Sequence, residues 1–94
     1  VDVQVGGYGL QVVHCPGHTP GHVIFYSKEG NAAFVGDIIF QRGIGRTDLP
    51  SGSERLLLKN IREKVLTLPG LTLLFPGHGS VTSVQEEKIG NPFL

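Results

Sequence analysis

The sequence has little of what usually stabilises a small protein. Its 94 residues contain one cysteine, Cys15, and neither methionine nor tryptophan. A single cysteine excludes a disulfide within the chain. Domains of this size bury a smaller share of their surface than larger ones and are marginally stable without additional support. With disulfides excluded, a bound metal or a partner chain is the remaining source of such support.

Net charge and long apolar segments are also lacking. Eight basic side chains balance eight acidic ones, so the positive field typical of nucleic-acid binding proteins is absent. No apolar run reaches the 18 residues that indicate a membrane span, and residues 1–4 lack the features of a signal peptide. We therefore expect a cytoplasmic location, with neither a nucleic acid nor a membrane as partner.

Glycine, in contrast, is abundant. Fourteen glycines are about twice the average share of roughly 7% and indicate many tight loops. Between these loops, β-branched and other apolar residues predict five short strands, at 3–5, 10–13, 23–26, 32–35 and 71–75. Residues 40–52 show no sustained period and predict a loop.

Two helices are expected. Five apolar residues recur at helical spacing after Ser53, which predicts an amphipathic helix ending at the Pro-Gly pair 69–70; these are Leu57, Leu58, Ile61, Val65 and Leu68. Ser83 and Glu86 have capping-box spacing and predict a short helix to about residue 89. The predicted fold class is α/β (α+β), a small, mostly antiparallel sheet with two helices.

Three predicted strands run into a glycine-rich loop that carries a side chain able to bind metal. These side chains are His18, Asp37 and His78. Rigid scaffolds commonly present functional groups on loops at strand ends, and two imidazoles with a carboxylate can bind zinc or non-haem iron. Surface histidines and an aspartate that merely shapes a turn would give the same pattern, so the residues alone leave both interpretations open.

The order of several local motifs favours the metal site. The motifs are His-Thr-Pro-Gly-His at 18–22, Gly-Asp at 36–37, Gly-Ile-Gly-Arg-Thr-Asp at 43–48, Pro-Gly-His-Gly at 76–79 and Asn-Pro-Phe at 91–93. In this order the sequence resembles the metallo-β-lactamase superfamily, and within it the glyoxalase II-like (hydroxyacylglutathione hydrolase-like) hydrolases. The resemblance implies that residues 1–94 form the C-terminal half of an αββα sandwich.

The resemblance also implies roles for the three donors. His18 matches a histidine of the first metal site, Asp37 the carboxylate that bridges two metals, and His78 the histidine of the second site. The complete family site holds two zinc ions, with iron or manganese as alternatives. Asp37 would thereby help to define a metal-bound hydroxide that attacks a thioester such as S-lactoylglutathione.

Other residues of these motifs have expected supporting roles. His22 and Thr19 are expected to hold the ligand loop without touching the metal. Arg46 is expected either to bind the carboxylate of a glutathione moiety or to form a salt bridge with Asp48. Cys15 matches neither a ligand nor a nucleophile, so we expect it to be a small buried residue.

One family motif is absent. The sequence contains no His-x-His-x-Asp-His segment, which supplies the other ligands in the family. We therefore expect little or no hydrolase activity from this chain alone, together with exposed apolar surface on one side of its sheet. Pairing with an N-terminal half, or self-association, would cover that surface; whether the chain is a truncation, a proteolytic fragment or a natural half stays open.

Two other functions compete with the hydrolase. Mononuclear-iron glutathione persulfide dioxygenases share the Gly-Arg-Thr-Asp segment, although Gly79 after the last histidine favours the hydrolase. The chain could instead be a non-catalytic half-domain that pairs with another chain. Antibiotic hydrolysis is less favoured because Asp37 stands where β-lactamases often have cysteine, and nuclease activity is less favoured because the charge is balanced.

Overall fold

The computed structural model describes residues 2–5, 8–19, 21–48 and 52–94. Six strands form one sheet in the order β1-β2-β3-β4-β7-β8, and two more form a separate hairpin. The strands are β1 (Asp2–Val5), β2 (Tyr8–His14), β3 (Val23–Ser27), β4 (Ala32–Gly36), β5 (Ile39–Phe40), β6 (Gly43–Ile44), β7 (Leu73–Pro76) and β8 (Thr82–Ser83). Pro20 of the first motif and residues 49–51 of the predicted loop lie outside the described residues.

The large sheet is mostly antiparallel, as the sequence predicts. Only β4 and β7 pair in parallel, while the other neighbours are antiparallel. A parallel pair needs a long crossover connection. Here that connection contains the β5–β6 hairpin and the first helix.

Both helices begin at the predicted serines. α1 (Glu54–Asn60) is capped by Ser53, whose hydroxyl accepts a hydrogen bond from the Leu56 N–H at 3.2 Å. α2 (Val84–Gly90) is capped in the same way by Ser83, with the Glu86 N–H at 3.1 Å. These side-chain acceptors satisfy backbone N–H groups that have no partner within the helix.

The prediction of one regular helix up to residue 68 was wrong. α1 ends at Asn60 and continues as a single π-helical turn, Ile61–Val65, in which the Leu66 N–H donates to the Ile61 carbonyl at 2.9 Å. The buried Leu57, Ile61 and Val65 are four positions apart, slightly more than the 3.6 residues of an α-helical turn. The wider turn keeps all three in the core.

One face of the sheet packs against the helices. The core combines apolar residues of β3, β4 and β7 with those of α1, the π-helical turn and α2. Its members include Ile24, Tyr26, Ala33, Val35, Leu57, Ile61, Val65, Leu74 and Val84. Strand alternation explains this division, since every second residue of β3 and β4 points to the same side. The predicted half-sandwich is thus present as a sheet with helices on one side.

The opposite face of the sheet carries a row of apolar side chains, which we call the open face and define as Phe25, Phe34, Leu73 and Phe75. Phe25 pairs with Phe34, and Phe34 pairs with Phe75, across three adjacent strands. The Phe34 and Phe75 rings stack at 5.3 Å, yet Phe25, Phe34 and Leu73 are 38%, 47% and 44% exposed. Contiguous apolar surface of this kind typically marks an interaction site.

The expectation of a plain loop at 40–52 was also wrong. The β5–β6 hairpin lies there, with Ile39 paired to Ile44 and Arg42 in the turn at a φ of 60°. Strands of two residues are too short to show alternation, and arginine seldom adopts a positive φ. The equally short β8 escaped prediction for the same reason. Among the described residues, no helix is long and apolar enough to cross a membrane.

Candidate metal-binding site

The three predicted metal ligands lie around one pocket of about 320 Å³. His18 follows β2, Asp37 follows β4 and His78 follows β7. The pocket is lined by His18, Asp37, Phe40, Ile44, Arg46 and His78. The structure therefore brings together donors that are far apart in the sequence, at the ends of strands in a single sheet.

Asp37 sits in a confined backbone environment that only glycine neighbours permit. A Cβ atom at Gly45 would lie 2.0 Å from the Asp37 carbonyl oxygen, and one at Gly77 would lie 2.8 Å from Asp37 Oδ1. Gly36, just before Asp37, has a φ of 60° and accepts a hydrogen bond from the Gly77 N–H at 2.9 Å. These glycines let the ends of β4 and β7 approach each other, which places the carboxylate beside the loop of His78.

His78 contacts Asp37 directly. Its Nδ1 lies 3.0 Å from Asp37 Oδ1, and the two side chains are 81% and 43% exposed. A carboxylate accepts hydrogen bonds, so Nδ1 is the protonated nitrogen. His78 Nε2 and the second oxygen of Asp37 remain as donors for a cation.

His18 has a defined tautomer. Its Nδ1 lies 2.7 Å from the backbone carbonyl oxygen of Arg46, and because a carbonyl can only accept, Nδ1 carries the proton. The lone pair of the neutral ring therefore resides on Nε2. Histidines that bind metals commonly donate their other N–H to a carbonyl or carboxylate in this way. This hydrogen bond leaves His18 Nε2 free to face a cation; the role of His18 as a metal ligand stays a prediction.

The loop that carries His18 is anchored on α1. Gly17, at a φ of 135°, touches the helix so closely that a Cβ would lie 2.3 Å from Leu57 Cα. Its carbonyl accepts from the Ser53 N–H at 2.7 Å, and the Lys64 ammonium donates to the His14 carbonyl at 2.5 Å. The start of α1 thus contacts one end of the segment that precedes His18, and the π-helical turn contacts the other.

His22 and Thr19 contact the backbone near the ligands. His22 Nε2 donates to the Val35 carbonyl at 3.1 Å, and its ring lies against Gly36. The Thr19 carbonyl accepts from the His22 N–H at 3.5 Å, which closes the turn. His22 thereby connects the His18 loop to the strand that leads to Asp37; the supporting roles of these two residues stay predictions.

Arg46 forms the predicted salt bridge. Its guanidinium donates to the two carboxylate oxygens of Asp48 at 2.9 and 3.2 Å. This hydrogen-bonded pair raises the pKa of Arg46 and lowers the pKa of Asp48. Binding of a substrate anion by Arg46 would have to compete with Asp48, and stays a prediction.

The donors suit zinc or non-haem iron by type but not by number. Within ranges 2–5, 8–19, 21–48 and 52–94, no three His, Cys, Asp or Glu side chains are grouped closely enough to hold an ion. Protein zinc sites use at least three protein ligands and usually four in all. The residues present therefore fit part of a metal site. Cys15 adds nothing to it, since it is fully buried as predicted.

Several contacts of the pocket region were not predicted from the motifs. Phe40 and Ile44 form its apolar wall, and the Arg46 carbonyl orients His18. Further away, Glu87 is fully buried in α2. Its spacing from the buried Val84 and Asn91 places it on the inner face of the helix, and an acidic residue at such a position could have been noticed in the sequence.

The fold and the site together define a class of protein. A sheet that is covered by helices on one face and carries histidine and aspartate donors at its strand ends is the arrangement of half a metallo-β-lactamase domain. A sequence profile of the metallo-beta-lactamase superfamily matches residues 2–78. The chain belongs to the metallo-β-lactamase superfamily.

Similar proteins carry more than one activity in their names. The chain is 46% identical over 92 residues to hydroxyacylglutathione hydrolase GloC of Haemophilus influenzae, covering 98% of this chain and 43% of that protein. It is 41% identical over 96 residues to the mitochondrial persulfide dioxygenase ETHE1 of Bos taurus, covering 98% and 38%. The chain thus spans less than half the length of the curated relatives that it matches.

Solved structures confirm the fold. The crystal structure of the BLEG-1 B3 metallo-beta-lactamase aligns with a TM-score of 0.95 and 43% identity, over 99% of this chain and 44% of that one. The structure of TTHA1623 in a di-iron-bound form aligns with a TM-score of 0.89 and 42% identity, over 98% and 45%. Membership of the superfamily and half of its fold are therefore established.

Proposed function

We propose that this chain supplies part of the metal site of a glyoxalase II-like hydrolase that cleaves a thioester such as S-lactoylglutathione. The observation that carries the proposal is the convergence of His18, Asp37 and His78 on one pocket, with His18 held in the tautomer that leaves Nε2 available. The similarity to the hydroxyacylglutathione hydrolase supports the choice of reaction.

Each residue of the pocket has a distinct part in this proposal. His18 and His78 would each contribute one ring nitrogen and Asp37 its carboxylate to a site for two zinc ions, with iron or manganese as alternatives. When bound, such ions supply Lewis acidity and water of lowered pKa. Phe40 and Ile44 provide an apolar wall for the thioester, and Arg46 stands at the rim to bind an anionic group if Asp48 releases it.

The remaining metal ligands must come from a second polypeptide segment. The open face indicates the surface on which that segment would pack. We propose that residues 1–94 are the C-terminal half of a sandwich domain and that the open face packs against an N-terminal half. The chain covers 44% of the BLEG-1 metallo-beta-lactamase structure, and burying Phe25, Phe34 and Leu73 would remove their apolar surface from water. Self-association through the same face is the alternative partner.

The hydrolase proposal is tested by metal analysis and a thioester assay. The chain is measured alone and with an N-terminal half from the similar Haemophilus influenzae hydrolase, using S-lactoylglutathione. We expect turnover only in the mixture, and its loss in His18→Gln and His78→Gln. His14→Gln is the matched control, because His14 does not line the pocket. A mixture that binds metal but leaves the thioester intact would refute the hydrolase.

A second candidate is an iron-dependent dioxygenase that acts on glutathione persulfide. It is favoured by the 41% identity to the bovine persulfide dioxygenase, and the same pocket would contribute its donors to iron. Iron content together with oxygen consumption in the same mixture distinguishes this activity from hydrolysis. A β-lactam belongs in the substrate panel because one similar structure is a B3 metallo-beta-lactamase.

A further inference from the structure

Glu87 is a buried carboxylate at the centre of a hydrogen-bond network away from the metal ligands. Its side chain is fully buried in α2. The Arg42 backbone N–H donates to Oε1 at 2.8 Å and Arg42 Nη1 to Oε2 at 2.5 Å. The Asn91 amide donates to Oε1 at 3.0 Å, and the Thr82 hydroxyl donates to Oε2. Four donors therefore surround one carboxylate.

Two of these donors come from Arg42, in the turn of the β5–β6 hairpin. Asn91 reinforces the attachment, since its amide also donates to the Gly43 carbonyl at 3.1 Å. Within the part of the chain that the structure describes, β5 and β6 pair with each other and form no ladder with the six-stranded sheet. Its turn is consequently held in place by α2 and the residue that ends α2, not by sheet pairing.

The same hairpin forms one side of the pocket. Phe40 and Ile44 lie in β5 and β6 and line the cavity. Two residues after Ile44, the Arg46 carbonyl accepts the hydrogen bond that defines the His18 tautomer. Between them, the Gly45 N–H donates to the Ile38 carbonyl at 2.9 Å. Displacement of the hairpin would therefore move the apolar wall and the partner of His18 together.

The network needs a charged carboxylate. Burial raises the pKa of Glu87, but hydrogen bonds from Thr82, the Arg42 N–H and Asn91, with the charge of Arg42, hold that pKa below its ordinary value. A buried charge is tolerated only when it is paired and hydrogen-bonded in this way. A neutral glutamine would offer one acceptor oxygen and an NH₂ group facing donors.

We propose that Glu87 is a positioning residue of the pocket: through Arg42 and Asn91 it holds the β5–β6 hairpin so that Phe40, Ile44 and the Arg46 carbonyl face the His18 side of the cavity. Only the consequence for turnover rests on the proposed hydrolase function. The positioning itself concerns residues within this chain and can be measured without any substrate.

The test compares Glu87→Gln with Glu63→Gln in the 94-residue chain. Both remove one negative charge, but Glu63 is exposed on the π-helical turn. We expect Glu87→Gln to speed amide hydrogen exchange of residues 39–46 at least tenfold more than that of β3 and β4, whose exchange rises only with the global loss of stability. The ¹⁵N spectrum of the His18 ring should change from the single Nδ1–H tautomer to a mixture. Glu63→Gln should change neither measurement.

Two results would overturn the proposal. One is a folded Glu87→Gln variant with unchanged exchange at 39–46; the other is an equal increase in β3 and β4, which would show a purely global effect. If Glu87→Gln does not fold, Arg42→Gln decides, because the Arg42 side chain is 43% exposed. Faster exchange confined to 39–46 in that variant supports the proposal, and unchanged exchange refutes it. These outcomes do not depend on whether the thioester is the substrate.

Discussion

Asp37 and Glu87 are both carboxylates, the first directly after strand β4 and the second within helix α2, and their surroundings differ. Asp37 is 43% exposed and lines the pocket, and among the residues that the structure describes its side chain has one side-chain partner, His78. Glu87 is fully buried and accepts hydrogen bonds from Arg42, Thr82 and Asn91. A carboxylate with all its acceptor positions occupied, such as Glu87, stabilises the local structure. Asp37 in contrast keeps an oxygen that can bind a cation. By this contrast, Asp37 would take part in the chemistry of the pocket, whereas Glu87 would hold the pocket wall in position.

The largest effect on turnover is expected from substitution of Asp37, the exposed carboxylate of the pocket. Asp37→Asn in the assembled enzyme should lower kcat/KM by at least about a thousandfold, since one metal-binding charge is lost. Its thermal stability should change little, because the side chain is half-exposed. Steady-state kinetics and thermal unfolding of the same preparation check both parts. A variant with near-normal turnover would place Asp37 outside the metal site.

Burial predicts a strong effect at Cys15 as well. The thiol is fully buried, and desolvation, only partly opposed by the charge of Lys64, raises its pKa to about 11 from 9.0. Because the thiolate is the reactive form, two pKa units lower the reaction rate with iodoacetamide at pH 8 by about a hundredfold, and burial lowers it further. Mass spectrometry in buffer and in urea measures this protection. Equal rates in both solutions would contradict a buried Cys15.

Substitution of the buried Glu87 is expected to have a smaller effect, on the free energy of unfolding. Glu87→Gln should reduce the free energy of unfolding by about 2–3 kcal/mol, the typical cost of leaving buried donors without acceptors. Urea denaturation measures this loss, with Glu63→Gln as the control for charge. A loss no larger than that of the control would mean that the network contributes nothing to the fold.

Low pH provides a second test of the role of Glu87, because protonation neutralises its carboxylate. The folded-state pKa of Glu87 is lowered, so its stabilisation is present above the unfolded-state value of about 4.3 and is lost as pH falls through the folded-state pKa. Hydrogen exchange at residues 39–46 should therefore stay slow from pH 7 to 5, once corrected for intrinsic rates, and accelerate only as the pH falls below the unfolded-state value and through the lowered folded-state pKa. Glu87→Gln should lack this dependence. A hairpin that opens between pH 7 and 5 would contradict the assignment.

The smallest effect is expected at the exposed pair of Arg46 and Asp48. Exposed salt bridges contribute little, so Asp48→Asn should leave unfolding nearly unchanged. If Arg46 also binds the substrate anion, the same variant should lower KM by releasing the guanidinium, whereas Arg46→Gln should raise it. Unchanged KM in both variants would assign Arg46 to the salt bridge alone.

Sequence patterns predicted the parts of the fold that depend on local chemistry. Ser53 and Ser83 were identified as caps because a hydroxyl before a helix satisfies free N–H groups wherever it occurs. The motifs around His18, Asp37 and His78 identified residues that the fold then brought to one pocket. The β5–β6 hairpin was missed because its two-residue strands are too short to show alternation and because its contact with Glu87 spans 45 positions from Arg42. Such long-range contacts leave no periodic signal in the sequence.

The π-helical turn was missed for a related reason. Apolar residues at 57, 61 and 65 suit either an α-helix or a wider turn, and packing against the sheet selects between them. The hydrogen bond from His18 to the Arg46 carbonyl was equally invisible, since a backbone acceptor can come from any residue type. The residues that line the pocket could thus be predicted from the motifs, whereas the backbone acceptor that orients His18 could not.

The central claim is that this chain holds part of a metal site that only a second half completes. Its most direct test is the metal stoichiometry and affinity of the 94-residue chain, measured by mass spectrometry and zinc titration, alone and with an added N-terminal half. We predict weak binding by the chain alone and tight binding of two ions in the mixture, accompanied by thioester hydrolysis. Tight binding of two ions with thioester turnover by the chain alone would contradict the claim.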